Sequence, residues 1–135
     1  MSIYTDKAKS LRADQAVHYN CAQAVLLAFA SEFGLDEQAA FRLTANFGSG
    51  MKRGSVCGAI TGGLMALGLA GADDTATVAA YHQALRDSHA GLLDCAELLR
   101  VNKERGGEHK AHCDGMVLEC VALVERLLRE KGRLQ

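Results

Sequence analysis

Apolar positions along this chain recur three and four residues apart, and no stretch keeps the two-residue alternation of a strand for more than a few positions. The clearest stripe lies near the C-terminus. There Met116, Val117, Cys120, Val121, Val124, Leu127 and Leu128 share one face of a helix predicted from about His112 to Lys131. Six further helices are expected before it. The first runs from about Ile3 to Val17. The second follows Asn20, an N-cap residue with Gln23 three positions on, which is the pattern of a capping box, and Gly34 ends it. Asp36 caps the third, "EQAAFRLTANF", which stops at "GSG". After a loop over 48–54, Ser55 is the expected cap of a glycine-rich fourth helix. Asp73 or Asp74 opens the fifth, "TATVAAYHQALRDSHA". Asp94 opens the sixth, "CAELLRV", with Glu97 completing another capping box, and the polar loop "NKERGGEHK" leads to the last.

Composition strengthens this picture. The chain contains no proline and is rich in alanine and leucine, which favours helices throughout. It has no internal repeat and no linker able to divide it, so residues 1–135 are expected to form one domain. The fold class is all-α: a single compact bundle of about seven helices with a glycine-rich central helix. A length of 135 residues is enough to bury a core without covalent staples.

Charge narrows the function classes. The formal net charge is −1, so no basic surface for nucleic acid or for an anionic membrane is indicated. Tryptophan is absent and aromatics make up 5%, too few for a base-stacking platform. The N-terminal stretch "MSIYTDKAKSLRADQ" lacks the apolar region of a signal peptide, which places the protein in the cytoplasm. The apolar stretch from Val56 to Ala72 holds five glycines and falls short of the roughly 20 residues that a bilayer requires. It reads as a buried helix.

Five cysteines then raise the central question. In a reducing compartment a structural disulfide framework is not expected, and the odd count opposes full pairing. Cys21, Cys57, Cys95 and Cys113 all fall in the first turn of a predicted helix, whereas Cys120 sits at a mid-helix apolar position. First-turn amides lack intrahelical partners, and the macrodipole adds about half a positive charge there. Such positions stabilise a thiolate, whether as a nucleophile or as a ligand to a metal cluster. The four cysteines have 35, 37 and 17 residues between them, with no C-x-x-C pair, so a shared site must be assembled from four helices. Zinc modules built on close pairs are disfavoured.

The segments "NCAQAVLLAF" (20–29), "CGAITGGLMALGL" (57–69), "CAELL" (95–99) and a cysteine opening the last helix together resemble the C-GCAxxG-C-C family of proteins with inferred redox activity. The resemblance runs from about residue 18 to the C-terminus. Its CGAxxG element corresponds to Cys57, Gly58, Ala59 and Gly62. It implies a redox role carried by the cysteines. A related domain of split-Soret cytochromes accompanies haems and an iron–sulfur centre. This sequence has no C-x-x-C-H, so covalent haem is not expected. Both "CDGMV" and "CVALV" fit the last element, and the helix-start position favours Cys113 over Cys120.

Other signals are weaker. The loop "FGSGMKRGS" lacks the spacing of a nucleotide-binding P-loop, although Lys52 and Arg53 could lower the pKa of Cys57. His109 or His112 beside Cys113 could add an imidazole ligand. The expected function is that of a small redox-active protein. Cys21, Cys57, Cys95 and Cys113 would either ligate an iron–sulfur cluster for electron transfer, or two of them would cycle between dithiol and disulfide, with Cys57 as the attacking thiolate. The alternatives are a helical scaffold or interaction module with structural cysteines, and a zinc–thiolate site. The partner would be another redox protein, with no nucleic acid and no membrane involved, and the apolar helix faces could also serve a homodimer.

Overall fold

The structure, a computed structural model, describes residues 2–134. Among them the chain is all-α, with seven α-helices and no strand. Helix α1 (Ile3–Ala13) begins in a capping box, in which the Ser2 hydroxyl accepts from the Thr5 amide at 3.2 Å and Thr5 Oγ1 accepts from the Ser2 amide at 2.9 Å. It stops before the expected Val17 because the Asp14 carboxylate accepts from the amides of Ala16 (2.8 Å) and Val17 (2.9 Å). That local turn competes with helix continuation.

Helix α2 (Cys21–Ala30) opens on the predicted capping box. The Asn20 side chain accepts from the Gln23 amide, and the Gln23 side chain accepts from the Asn20 amide, both at 2.8 Å. A 3₁₀ turn over Ser31–Phe33 extends it to Gly34, whose φ of 75° provides the left-handed stop. Helix α3 (Glu37–Leu43) is capped by Asp36 and ends earlier than predicted. At its end the Thr44 hydroxyl donates back to the Ala40 carbonyl at 2.6 Å. Helices α4 (Gly58–Leu69), α5 (Thr75–Ser88, capped by Asp74), α6 (Cys95–Glu104) and α7 (His109–Glu130) complete the bundle. No helix among the described residues is long and apolar enough to cross a membrane.

The core lies where α2, α4 and α7 meet. Nine of the ten residues of α2 are buried, against seven of the twelve in α4, so α2 is the more enclosed of the two. The predicted α7 stripe, Met116 to Leu128, faces inward at every position named above, with Leu123 added to it. Gly62 brings α4 hard against α2: a Cβ there would sit 2.8 Å from the Ala22 carbonyl oxygen. This close approach fixes the start of α2 beside the start of α4, and with them Cys21 and Cys57.

Two expected caps differ. Ser55 does not cap α4, because an antiparallel bridge between Val56 and Asp94 takes the Ser55 backbone instead. In that bridge the Ser55 carbonyl accepts from the Cys95 amide at 2.6 Å, and the Leu93 carbonyl accepts from the Cys57 amide at 2.9 Å. Cys57 itself is the N-cap residue of α4. Asp94 precedes α6 as predicted, but its side chain makes no cap hydrogen bond, so the capping box with Glu97 does not form.

Candidate thiol site

Cys21 is the first residue of α2 and Cys95 the first of α6, as the caps predict. Cys57 stands one position before α4. Cys113 is the exception: α7 begins at His109, three residues earlier than expected, so Cys113 lies in its second turn. The bridge between Val56 and Asp94 places Cys57 opposite Leu93 and Cys95 opposite Ser55, and so holds the two cysteine-bearing segments side by side. The packing of α2 on α4 and α7 brings Cys21 to the same place.

All four cysteines line one cavity of about 530 Å³. Cys57 is buried at 5% exposure, and the other three are partly exposed. Cys120 is fully buried beside Tyr81 and does not line the cavity. None of the five is in a disulfide. Among the described residues, no group of three or more His, Cys, Asp or Glu side chains is placed to hold a single metal ion.

Within the cavity the thiols are not equivalent. Cys113 and Cys21 sit side by side at the cavity wall, and this proximity, followed by burial and by the charge at Cys21, pushes Cys113 well above the ordinary cysteine value. Arg12 and His109 pull the other way and are outweighed. Burial pushes Cys57 up to about 11, although the amides of Ala59 and Ile60 at the helix start oppose it. This reverses the expectation of an attacking thiolate at Cys57: removal from water outweighs the helix terminus. Burial, then the charge at Cys113, also raises Cys95. Burial lowers His112, with His89 and His109 adding to the effect.

The expected cations also change. Lys52 and Arg53 are exposed and line no part of the cavity, and Lys52 donates instead to the Asn46 side chain at 3.2 Å. The buried cation lining the cavity is Arg12, near the end of α1. Its side chain is only 10% exposed, its Nε donates to Asp114 Oδ1 at 2.7 Å, and its Nη1 donates to the Tyr19 carbonyl at 2.8 Å. Arg12 therefore grips the residue after Cys113 and the residue two before Cys21. No local pattern in the sequence announces it, because its partners lie 7 and 102 positions away.

The turn over Gly50–Gly54 that borders Cys95 is backbone-strained. Ser49, Met51 and Lys52 all have φ between 54° and 59° without being glycine. Left-handed non-glycine residues cost roughly 1–2 kcal/mol each and persist only where the surroundings hold them. Here the Ser55 amide donates to the Gly50 carbonyl at 2.9 Å, and Gly50 leaves no room for a side chain against Ser55 and Cys95.

The model of the family described as "Putative redox-active protein (C_GCAxxG_C_C)" matches residues 19–127. The chain shows no match among the curated proteins and none among the solved structures. The matched region contains all five cysteines and excludes α1, and with it Arg12.

Proposed function

The chain belongs to the C_GCAxxG_C_C family, and from that premise we propose that it is a thiol–disulfide redox protein whose exchanging pair is Cys21 and Cys113. The observation that carries this reading is that the two cysteines are neighbours at the wall of the shared cavity, one on α2 and one on α7. Cys113 is the member of the pair held protonated, which leaves Cys21 as the attacking sulfur. Its place as the first residue of α2 and the nearby Arg12 favour the same assignment.

The exchange balances as follows. The Cys21 thiolate attacks one sulfur of a substrate disulfide and forms a mixed disulfide, and the first substrate thiolate leaves and takes up a proton. Cys113 then gives up its proton and attacks the Cys21 sulfur. The second substrate thiol departs, and the Cys21–Cys113 disulfide remains. The substrate disulfide gains two electrons and two protons, and the protein dithiol loses them. Cys57, buried and held protonated, supports the floor of the cavity in this reading.

Equilibration of the reduced protein in redox buffers of stepped potential tests the proposal. Two thiols should be lost as one unit in the wild type, in C57S and in C95S, and no such unit should remain in C21S or C113S. A two-thiol transition that survives in C21S would refute it.

A second reading is favoured by the convergence of all four thiols. An all-thiolate donor set of Cys21, Cys57, Cys95 and Cys113 suits an iron–sulfur cluster, whose sulfur ligands stand further apart than those of one ion. The same side chains as arranged do not suit a single zinc ion. A bound cluster would supply one-electron transfer, and these residues would hold it and limit its contact with water. Anaerobic reconstitution with iron and sulfide should then give a coloured protein, with the colour lost in C57S. No colour would dismiss this reading.

A further inference from the structure

The proposal about Cys21 and Cys113 leaves open what they exchange with, and this inference rests on it. We infer that the thiol cavity takes a low-molecular-weight disulfide bearing carboxylate groups, and that Arg12 receives a carboxylate. Arg12 lines the cavity while nine-tenths buried. Two of its nitrogens are committed, Nε to Asp114 and Nη1 to the Tyr19 carbonyl, and Nη2 has no protein acceptor among the described residues. A guanidinium carries five N–H groups in a fixed plane, so donors remain for a ligand. The two committed bonds tie the plane to both cysteine-bearing segments, which sets its distance from the reacting sulfurs.

The surrounding charge points the same way. Lys110 also lines the cavity, and it shares Asp114 with Arg12 at 2.9 Å, so one carboxylate serves two cations. Asp114 itself is not part of the lining. Among the described residues, Glu108, exposed, is the only acidic side chain that is. A carboxylate entering beside the thiols would therefore meet Arg12 with its charge only partly answered, and a charge-assisted, partly desolvated hydrogen bond is among the stronger ones available.

Size selects a small molecule. A cavity of about 530 Å³ lies in the usual range for small ligands, roughly 300–1,000 Å³. Cys57 is buried within it, and Cys21, Cys95 and Cys113 are half-buried. A flexible acyclic disulfide can reach such recessed sulfurs, whereas a disulfide inside a folded protein must push a loop into the cavity.

The experiment compares three disulfides of nearly the same size: dithiodipropionate, which is dianionic, hydroxyethyl disulfide, which is neutral, and cystamine, which is dicationic. Each is mixed with the reduced protein, and formation of the Cys21–Cys113 disulfide is followed by quenching and mass spectrometry. Each rate is divided by that of the same reagent with mercaptoethanol, which removes intrinsic reactivity. Dithiodipropionate should be favoured over cystamine by about tenfold, the effect of one partly exposed charge-assisted hydrogen bond. R12Q should collapse that ratio towards one, and R12K should keep part of it. Should R12Q fail to fold, rising salt must shrink the wild-type ratio, because the selection is electrostatic. An unchanged ratio in R12Q, a salt-independent ratio, or cystamine reacting as fast as the dianion overturns the inference. So does faster oxidation by insulin, a protein disulfide, than by dithiodipropionate. If no reagent forms the Cys21–Cys113 disulfide at all, the pair assignment is refuted, and the inference falls with it.

Discussion

Substituting Gly63 by alanine tests how α5 is locked to α4. Gly63 lies inside α4 with no Cβ, and the Tyr81 ring from α5 occupies the space a Cβ would need. The new methyl would fall on the Tyr81 hydroxyl oxygen and 2.8 Å from Tyr81 Cζ. Tyr81 is fully buried, and its hydroxyl donates to the Ile60 carbonyl at 2.8 Å, so it has no solvent to retreat into. Displacing it breaks that bond and leaves a buried hydroxyl without its partner, at a cost of about 1–3 kcal/mol. Overpacking adds about 1–3 kcal/mol, and the better helix propensity of alanine returns about 1 kcal/mol. We expect G63A to lose about 1–5 kcal/mol of unfolding free energy by urea titration, with the m-value unchanged. Y81F removes the hydroxyl and should cost about 1 kcal/mol alone. In the double variant the worst contact is gone while Cζ still crowds the methyl. The double should therefore be more stable than the sum of the singles predicts by about 1 kcal/mol. G63A within about 0.5 kcal/mol of wild type, or simple additivity in the double, would refute this account of the contact.

Three further outcomes follow. N20A should cost about 1–2 kcal/mol through loss of the cap, and more through the bonds from Asn20 to the Thr44 and Ala45 carbonyls (3.2 and 3.3 Å), as measured by thermal and urea unfolding. An effect near zero would contradict the capping geometry. Because Cys57 is held protonated in the fold, the native state binds its proton more tightly than the unfolded chain does. Its contribution to stability is complete below the unfolded value of 9.0 and is lost as pH rises towards about 11, so the stability of wild type relative to C57A should decline across that window. A constant difference would show that burial does not govern this thiol. G50A places a side chain where φ is 62° and where Cys95 Cβ would be 2.9 Å away. Native-state alkylation of Cys95 should then quicken by roughly tenfold, about 1.4 kcal/mol of local opening. Unaltered alkylation would mean that the turn does not hold Cys95.

Much of the fold was legible because its signals are local. Asn20 with Gln23, Asp36 before α3, Asp74 before α5 and the apolar stripe of α7 each lie within one or two turns of what they specify. The placement of Cys21 followed from its cap, and Cys95 opens α6 after Asp94 as expected although that side chain makes no cap bond. The errors arise where distant contacts decide. Ser55 looks like a cap, but the bridge to residues 93–95 takes its backbone and passes the N-cap to Cys57. The start of α7 has no side-chain cap to read, so its extra turn before Cys113 was invisible. A helix start suggested a reactive Cys57, and only the packed structure reveals the burial that reverses it. Arg12 was missed because its role depends on α1 lying against α2 and α7, and Lys52 and Arg53, adjacent in sequence, attracted the assignment instead.

The pairing of Cys21 with Cys113 is tested most directly by mapping the first disulfide to form. Reduced protein would receive less than one equivalent of a small disulfide oxidant, then be quenched with acid, alkylated under denaturing conditions and digested. The account predicts that the peptides containing Cys21 and Cys113 are recovered joined, while those of Cys57, Cys95 and Cys120 are recovered alkylated. A first disulfide that includes Cys57, or oxidation spread evenly over the five cysteines, would contradict it.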